Sequence, residues 1–212
     1  MRFTSLILLV SLSAATLHAD PPEKVILSSG WQLQDGSRVP QKGAEISSAS
    51  FSPKSWYSAT VPGTVLTTLV DNHVYPEPLY GENNRPDVIP DSLCRTDWWY
   101  RSSFQAPADY AGKMIWLNFD GINYAADVWI NGVAVGTING AFVRGRFNLT
   151  GVVTPGKPAA VAVHIYPQPH PGVSHEHTLG AGNGIIGGIS RIDGPTFACT
   201  IGWDWLPAIR DR

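Results

Sequence analysis

Asp127-Val-Trp-Ile-Asn-Gly-Val-Ala-Val135 decides the fold. Apolar residues alternate on both sides of Asn131-Gly132. Asn-Gly is the dipeptide that best accepts positive φ at both centres of a type I′ turn. A period of two around such a turn predicts a β-hairpin. The alternation recurs outward along the chain. In Lys113-Met-Ile-Trp-Leu-Asn-Phe119, the residues Ile115, Leu117 and Phe119 share a face. In Trp98-Trp-Tyr-Arg-Ser-Ser-Phe104 the shared face carries Trp98, Tyr100 and Phe104, and in Ala160-Val-Ala-Val-His-Ile-Tyr166 it carries Val161, Val163 and Ile165. One short helix is predicted over Val65–Asp71. Thr64 stands ready as its N-cap, and Val65, Leu66, Leu69 and Val70 fall at helical spacing.

Composition agrees with many strands joined by turns. Charged residues make up 15% of the 212, hydrophobic ones 43%, and there are 21 Gly, 17 Pro and 8 Trp. An average soluble domain is roughly 25% charged. Low charge with many breakers and aromatics argues against a helix bundle, a coiled coil or a disordered tail. The net charge of −2, with no basic cluster, leaves no electrostatic footprint for a nucleic-acid partner. The expected class is all-β: a jelly-roll sandwich with one short helix. Two stretches break the strand rhythm, the Pro-rich residues 75–96 and the Gly- and His-rich residues 164–195. Loops of that length inside a domain are usually functional or disordered.

Residues 1–19 read as a secretory signal rather than as fold. Arg2 supplies a positive start, residues 6–17 an apolar stretch diluted with Ser and Ala, and Leu17-His18-Ala19 a small-residue cleavage site. The apolar stretch is shorter than the ~20 residues a membrane span needs, so no membrane partner is expected. The mature unit is then residues 20–212, secreted or periplasmic. Cys94 and Cys199 follow the signal. An exported chain can oxidise such a pair, yet a chain this long buries a core without a disulfide. We read them as two independent thiols.

Several strings carry candidate chemistry. His175-Glu176-His177, with His164 and His170 nearby, offers imidazoles to a transition metal. Its spacing does not put two His one helical turn apart, so we read a solvated loop and expect no metal and no cofactor. Residues 180–187 contain Gly-x-Gly-x-Gly, but neither a preceding strand nor a following helix makes it a dinucleotide loop. Gly172-Val-Ser174-His-Glu176 lacks the closing Gly of a nucleophile elbow. Glycoside hydrolysis ordinarily needs two facing carboxylates. The chain is also shorter than the about 250 residues of a (β/α)₈ barrel. No complete glycosidase site is read here, and no catalytic residue is assigned.

Gly202-Trp203-Asp204-Trp205-Leu206-Pro207 is the most distinctive string. An indole packs against the apolar face of a sugar, and a carboxylate accepts hydrogen bonds from vicinal hydroxyls. The alternative is that both Trp pack in a core while Asp204 caps a turn. From composition both readings stay open.

Taken in order, five strings resemble one family. They are Val61-Pro-Gly-Thr64, Pro76-Glu-Pro-Leu-Tyr-Gly81, Asp97-Trp-Trp-Tyr-Arg101, the run from Phe119-Asp-Gly-Ile-Asn-Tyr to Asn131-Gly132, and Asp193-Gly-Pro-Thr-Phe197 leading to Gly202–Pro207. The chain resembles the N-terminal domain of glycoside hydrolase family 2, on its β-mannosidase and exo-β-glucosaminidase side. The resemblance implies a galactose-binding-like jelly roll that ends before its last strand. It also implies a carbohydrate substrate for the whole enzyme. The two catalytic Glu would lie on a later barrel domain, beyond an Ig-like domain, so this chain alone would be inactive. Carried over by resemblance, Asp204 and Trp205 reach the sugar pocket. The competing expectations are a freestanding carbohydrate-binding module and, more weakly, a metal-binding export protein resting on the His cluster. Asn148-Leu-Thr150 fits the glycosylation sequon.

Overall fold

The computed structural model describes residues 24–90, 92–140, 142–167, 209 and 211. The leader, Cys199, the His175–His177 run and the Gly202–Pro207 string lie outside the described residues.

The described strands are β1 (Trp31–Asp35), β2 (Tyr57–Ala59), β3 (Trp98–Gln105), β4 (Trp116–Phe119), β5 (Ala125–Ile130), β6 (Val133–Asn139), β7 (Gly145–Asn148) and β8 (Pro158–Tyr166). Six of them form one sheet in the order β2-β1-β3-β8-β5-β6, and β4 pairs with β7 in a second. Every pairing between these strands is antiparallel. Leu33, Val128, Ile130, Val161 and Val163 of the large sheet, Phe147 of the small one, and Ile115 and Leu149 beside it belong to a single buried cluster. The fold is an all-β, galactose-binding-like jelly roll, and the core lies between its sheets.

The predicted hairpin is present. Asn131 and Gly132 have φ of 49° and 86°, and Ile130 pairs with Val133 across the turn. Asn131 also does work that Gly could not. Its Oδ1 accepts from the Ala160 amide at 3.0 Å, and its Nδ2 donates to the Val152 carbonyl at 3.0 Å. The turn is thereby tied to β8 and to the segment after β7.

Helix α2 spans Val65–Asp71, as its spacing predicts. The Thr64 hydroxyl accepts from the Thr67 amide at 3.1 Å, and Thr67 Oγ1 accepts from the Thr64 amide at 2.9 Å. Val65, Leu66 and Leu69 are buried against the core. Two single-turn helices add to the one expected, α1 (Gly43–Ile46) and α3 (Ser92–Arg95). Four residues are too few to show a helical period, which is why the sequence does not reveal them.

The other face of the large sheet carries a smaller cluster, in which Val39, Ile46, Trp99 and Ala162 pack with Phe51, Trp56 and Trp129. Arg101 is buried there. Its Nε donates to the Ile46 carbonyl at 3.0 Å, Nη2 to that of Ser48 at 3.3 Å, and Nη1 to Ser103 Oγ at 3.0 Å. The carbonyls at the end of α1 thus satisfy a cation that burial drives toward its neutral form. Within residues 75–96, expected as a loop, the last part is anchored: Ile89, Leu93 and Cys94 are buried, and Trp98 Nε1 donates to the Leu93 carbonyl at 2.9 Å.

Candidate functional site

The chain leaves the large sheet at the end of β8, and the stretch 168–208 that follows contains the Gly202–Pro207 string. What surrounds that exit is set by register. Trp99 of β3, His164 of β8 and Asp127 of β5 are cross-strand partners in one row, so their side chains share a face. Asp97 and Tyr166 flank the row two residues away on the same face.

These side chains form a connected polar and aromatic set. His164 lies flat on Trp99, with ring centroids 4.1 Å apart and planes within 2°. Its Nε2 meets the Asp97 carboxylate, and its ring lies against Tyr166 at a tilt of 53°, with centroids 4.4 Å apart. The Tyr166 hydroxyl donates to Asp127 Oδ2 at 2.7 Å. Trp129 continues the aromatic row, 5.4 Å from Trp99. Gly36 is required beside this set. Its amide donates to the Asp97 carbonyl at 2.8 Å, and a Cβ there would run into the Asp97 carboxylate. An open depression lined by Ser92, Arg95, Thr96, Asp97, Tyr166 and Pro167 lies at the exit.

Electrostatics follow from the neighbours. Burial raises the Tyr166 phenol to about 12, and the Asp127 hydrogen bond, the Asp127 charge and the Asp97 charge add to the rise. Tyr100, on the opposite face of β3, is raised too, first by burial and then by the Asp211 carboxylate, with the Thr68 hydroxyl opposing.

The chain returns at Ile209, which packs against the main core, and at Asp211, whose Oδ1 accepts from the Leu66 amide at 2.7 Å. Before the stretch that carries the string, Ile165 of β8 pairs with Trp98 of β3; after it, Asp211 is tied to α2.

Asp204 and Trp205, the sugar-contacting residues expected from the sequence, lie outside the described residues. His164, grouped in the sequence with a possible metal cluster, is engaged with Asp97 and Trp99 instead. Among the described residues, no group of three or more His, Cys, Asp or Glu is placed to hold a metal ion. No described helix is long and apolar enough to cross a membrane. The Asp97–His164–Tyr166–Asp127 set was not found from sequence. Its members come from β5, β8 and the residue just before β3, and only pairing brings them together. The one signal available was that polar residues occupy alternate positions of otherwise apolar strands.

Two antiparallel sheets around one core, with the Asp-Val-Trp-Ile-Asn-Gly hairpin closing β5 onto β6, define a galactose-binding-like β-sandwich module. The chain belongs to the family described as the glycosyl hydrolase 2 galactose-binding domain-like domain, which matches residues 31–212. It is 32% identical to a mannosylglycoprotein endo-β-mannosidase of Lilium longiflorum over 89% of its own length and 20% of that protein's. It is 31% identical to an exo-β-D-glucosaminidase of Amycolatopsis orientalis over 74% of itself and 14% of the relative. An exo-chitosanase structure from the same organism superposes with a TM-score of 0.60 at 28% identity, over 68% of this chain and 17% of that one. A β-D-mannosidase from Dictyoglomus thermophilum shares the fold, with a TM-score of 0.59 at 22% identity over 87% and 21% of the two chains. The chain thus spans between 14% and 21% of the length of these relatives.

Proposed function

We propose that this chain is the carbohydrate-contacting accessory domain of a larger, exported β-glycosidase of β-mannosidase or exo-β-glucosaminidase type. The enzyme would hydrolyse terminal β-linked sugars. Asp204 hydrogen-bonds the terminal sugar, and Trp205 packs against its apolar face. Trp203 is assigned to packing. The domain's partners are an Ig-like and a barrel domain of the same enzyme, and the barrel supplies the two catalytic carboxylates. The observation that carries this reading is the family match, which runs through residues 31–212 and includes the Gly-Trp-Asp-Trp string. The signal-like residues 1–19 support export.

The test uses the whole gene product that contains this chain, with p-nitrophenyl β-D-mannoside and β-D-glucosaminide as substrates. Asp204→Ala should lower kcat/KM by about 10²-fold or more. The loss reflects a charge-assisted hydrogen bond of ~1.5–3 kcal/mol together with the orientation it provides. The urea midpoint should hardly move. Trp205→Ala should weaken sugar binding, whereas Trp203→Ala should mainly destabilise. Unchanged kcat/KM in Asp204→Ala would overturn the pocket assignment. A second reading, cleavage within a glycan rather than at its end, is favoured by the similarity to the lily enzyme, whose name describes endo action. Comparing terminal with internal mannosyl linkages as substrates separates the two.

A further inference from the structure

An open cleft of about 480 Å³ borders the smaller cluster on the outer face of the large sheet. Sites for small ligands span about 300–1,000 Å³. Its lining falls within residues 38–56, all of them described. Val39, Phe51 and Trp56 belong both to the cluster and to the lining. Phe51 and Trp56 meet edge to face, with centroids 5.9 Å apart and planes at 71°. The Arg101 guanidinium lies 5.7 Å from the Phe51 centroid. Contacts with both residues thus fix the Phe51 ring.

The rest of the lining is polar. Arg38, Glu45 and Lys54 are exposed, and none of the three makes a side-chain hydrogen bond or an ion pair with another described residue. Exposed charges elsewhere do pair, Arg85 with Glu82 and Lys113 with Asp109. The Ser48 and Ser50 hydroxyls bond each other at 3.1 Å, which leaves each with capacity for a further partner. Aromatic rings beside hydroxyls and charges of both signs suit a ligand with an apolar ring face and a polar edge, which is the chemistry of a pyranose. Two cations against one carboxylate favour a ring that carries negative charge, and a guanidinium grips a carboxylate through two parallel hydrogen bonds. A bare anion would use the cations and leave the aromatic lining idle.

We propose that this cleft is a carbohydrate site for an acidic pyranose unit. The sugar ring lies against Trp56 and Phe51, its carboxylate meets Arg38 and Lys54, and its hydroxyls reach Glu45 and the Ser48–Ser50 pair. None of these residues belongs to the Gly202–Pro207 string, so the proposal stands or falls independently of the function proposed above.

The experiment reads binding by saturation-transfer NMR on the whole gene product, with digalacturonate as the probe and cellobiose and acetate as controls. Digalacturonate should bind, and each control should bind at least tenfold more weakly. Arg38→Gln and Lys54→Gln should each weaken digalacturonate about tenfold, and the double variant should abolish the signal. Both side chains are exposed, so the urea midpoint should not move. Trp56→Leu keeps apolar volume in the cluster but removes the ring, and should also weaken binding about tenfold in the folded variant. Arg146→Gln removes a cation from β7, where it lies over Trp116 at 4.3 Å, and should bind like the parent. No binding by the parent, or parent affinity in the Arg38→Gln/Lys54→Gln variant, overturns the site. Equal binding of cellobiose overturns the acidic ligand. Equal binding of acetate, or parent affinity in Trp56→Leu, overturns the carbohydrate.

Discussion

His164 stacks on Trp99, contacts the Tyr166 ring at a tilt and is held by Asp97. The same neighbourhood makes Tyr166 a marker of the folded state, since its phenol is raised to about 12 against an ordinary value near 10. The folded state therefore keeps a proton that the unfolded state gives up. Below the ordinary phenol range both states are protonated, and the contribution to stability is constant. Above it only the unfolded state ionises, so the contribution is lost progressively as pH rises toward about 12. Phenolate absorbance should show a tyrosine in the native chain that titrates well above its value in guanidinium. Tyr166→Phe should remove that component and flatten the alkaline fall of the urea midpoint. A native titration identical to the unfolded one would contradict the placement of Tyr166 against Asp127.

At the scale of elements, the hairpin and α2 form where sequence alone put them, because each is specified locally. Asn-Gly sets the turn, and Thr64 with Thr67 sets the helix start. Gly132→Val tests the first. A β-branched residue resists the observed φ of 86°, and forcing it costs on the order of 1–3 kcal/mol. The urea midpoint should fall accordingly, while an unchanged midpoint would mean that the turn is not what orders β5 and β6. Strands β1, β2 and β7 were not read from the sequence. They are short, and β1 mixes buried Gln34 among its apolar residues, so period two is obscured. Gln34 Nε2 reaches the Ser55 carbonyl at 2.8 Å, a contact set by tertiary packing rather than by spacing. Arg101 is a similar case. Its charge suggests a surface residue, and its burial is possible only because α1 ends with carbonyls aimed at the guanidinium.

For the molecule as a whole, the sandwich supplies a rigid frame around the exit and return of the stretch 168–208. Under the proposed function the two catalytic carboxylates that glycoside hydrolysis ordinarily needs lie on a later domain. The purified 212-residue chain should therefore release no nitrophenol from either aryl glycoside, with turnover appearing only in the whole gene product. Turnover by the chain alone would place catalytic groups within it and overturn the accessory assignment.

The sequence by itself determined the all-β class, the hairpin, helix α2, the faces of β3, β4 and β8, and the family, because those depend on local periodicity, turn chemistry and the order of short strings. Tertiary structure alone decided the partners of each strand, the burial of Ile89, Leu93 and Cys94, the Asp97–His164–Tyr166–Asp127 set and the docking of Asp211 on α2. The physical reason is sequence separation. His164 and Asp97 are 67 residues apart, and Asp211 and Leu66 are 145 apart. No local propensity encodes contacts at that range. They exist because antiparallel pairing of β3, β5 and β8 fixes one register, and because burying Ile209 brings Asp211 to an amide that α2 leaves open.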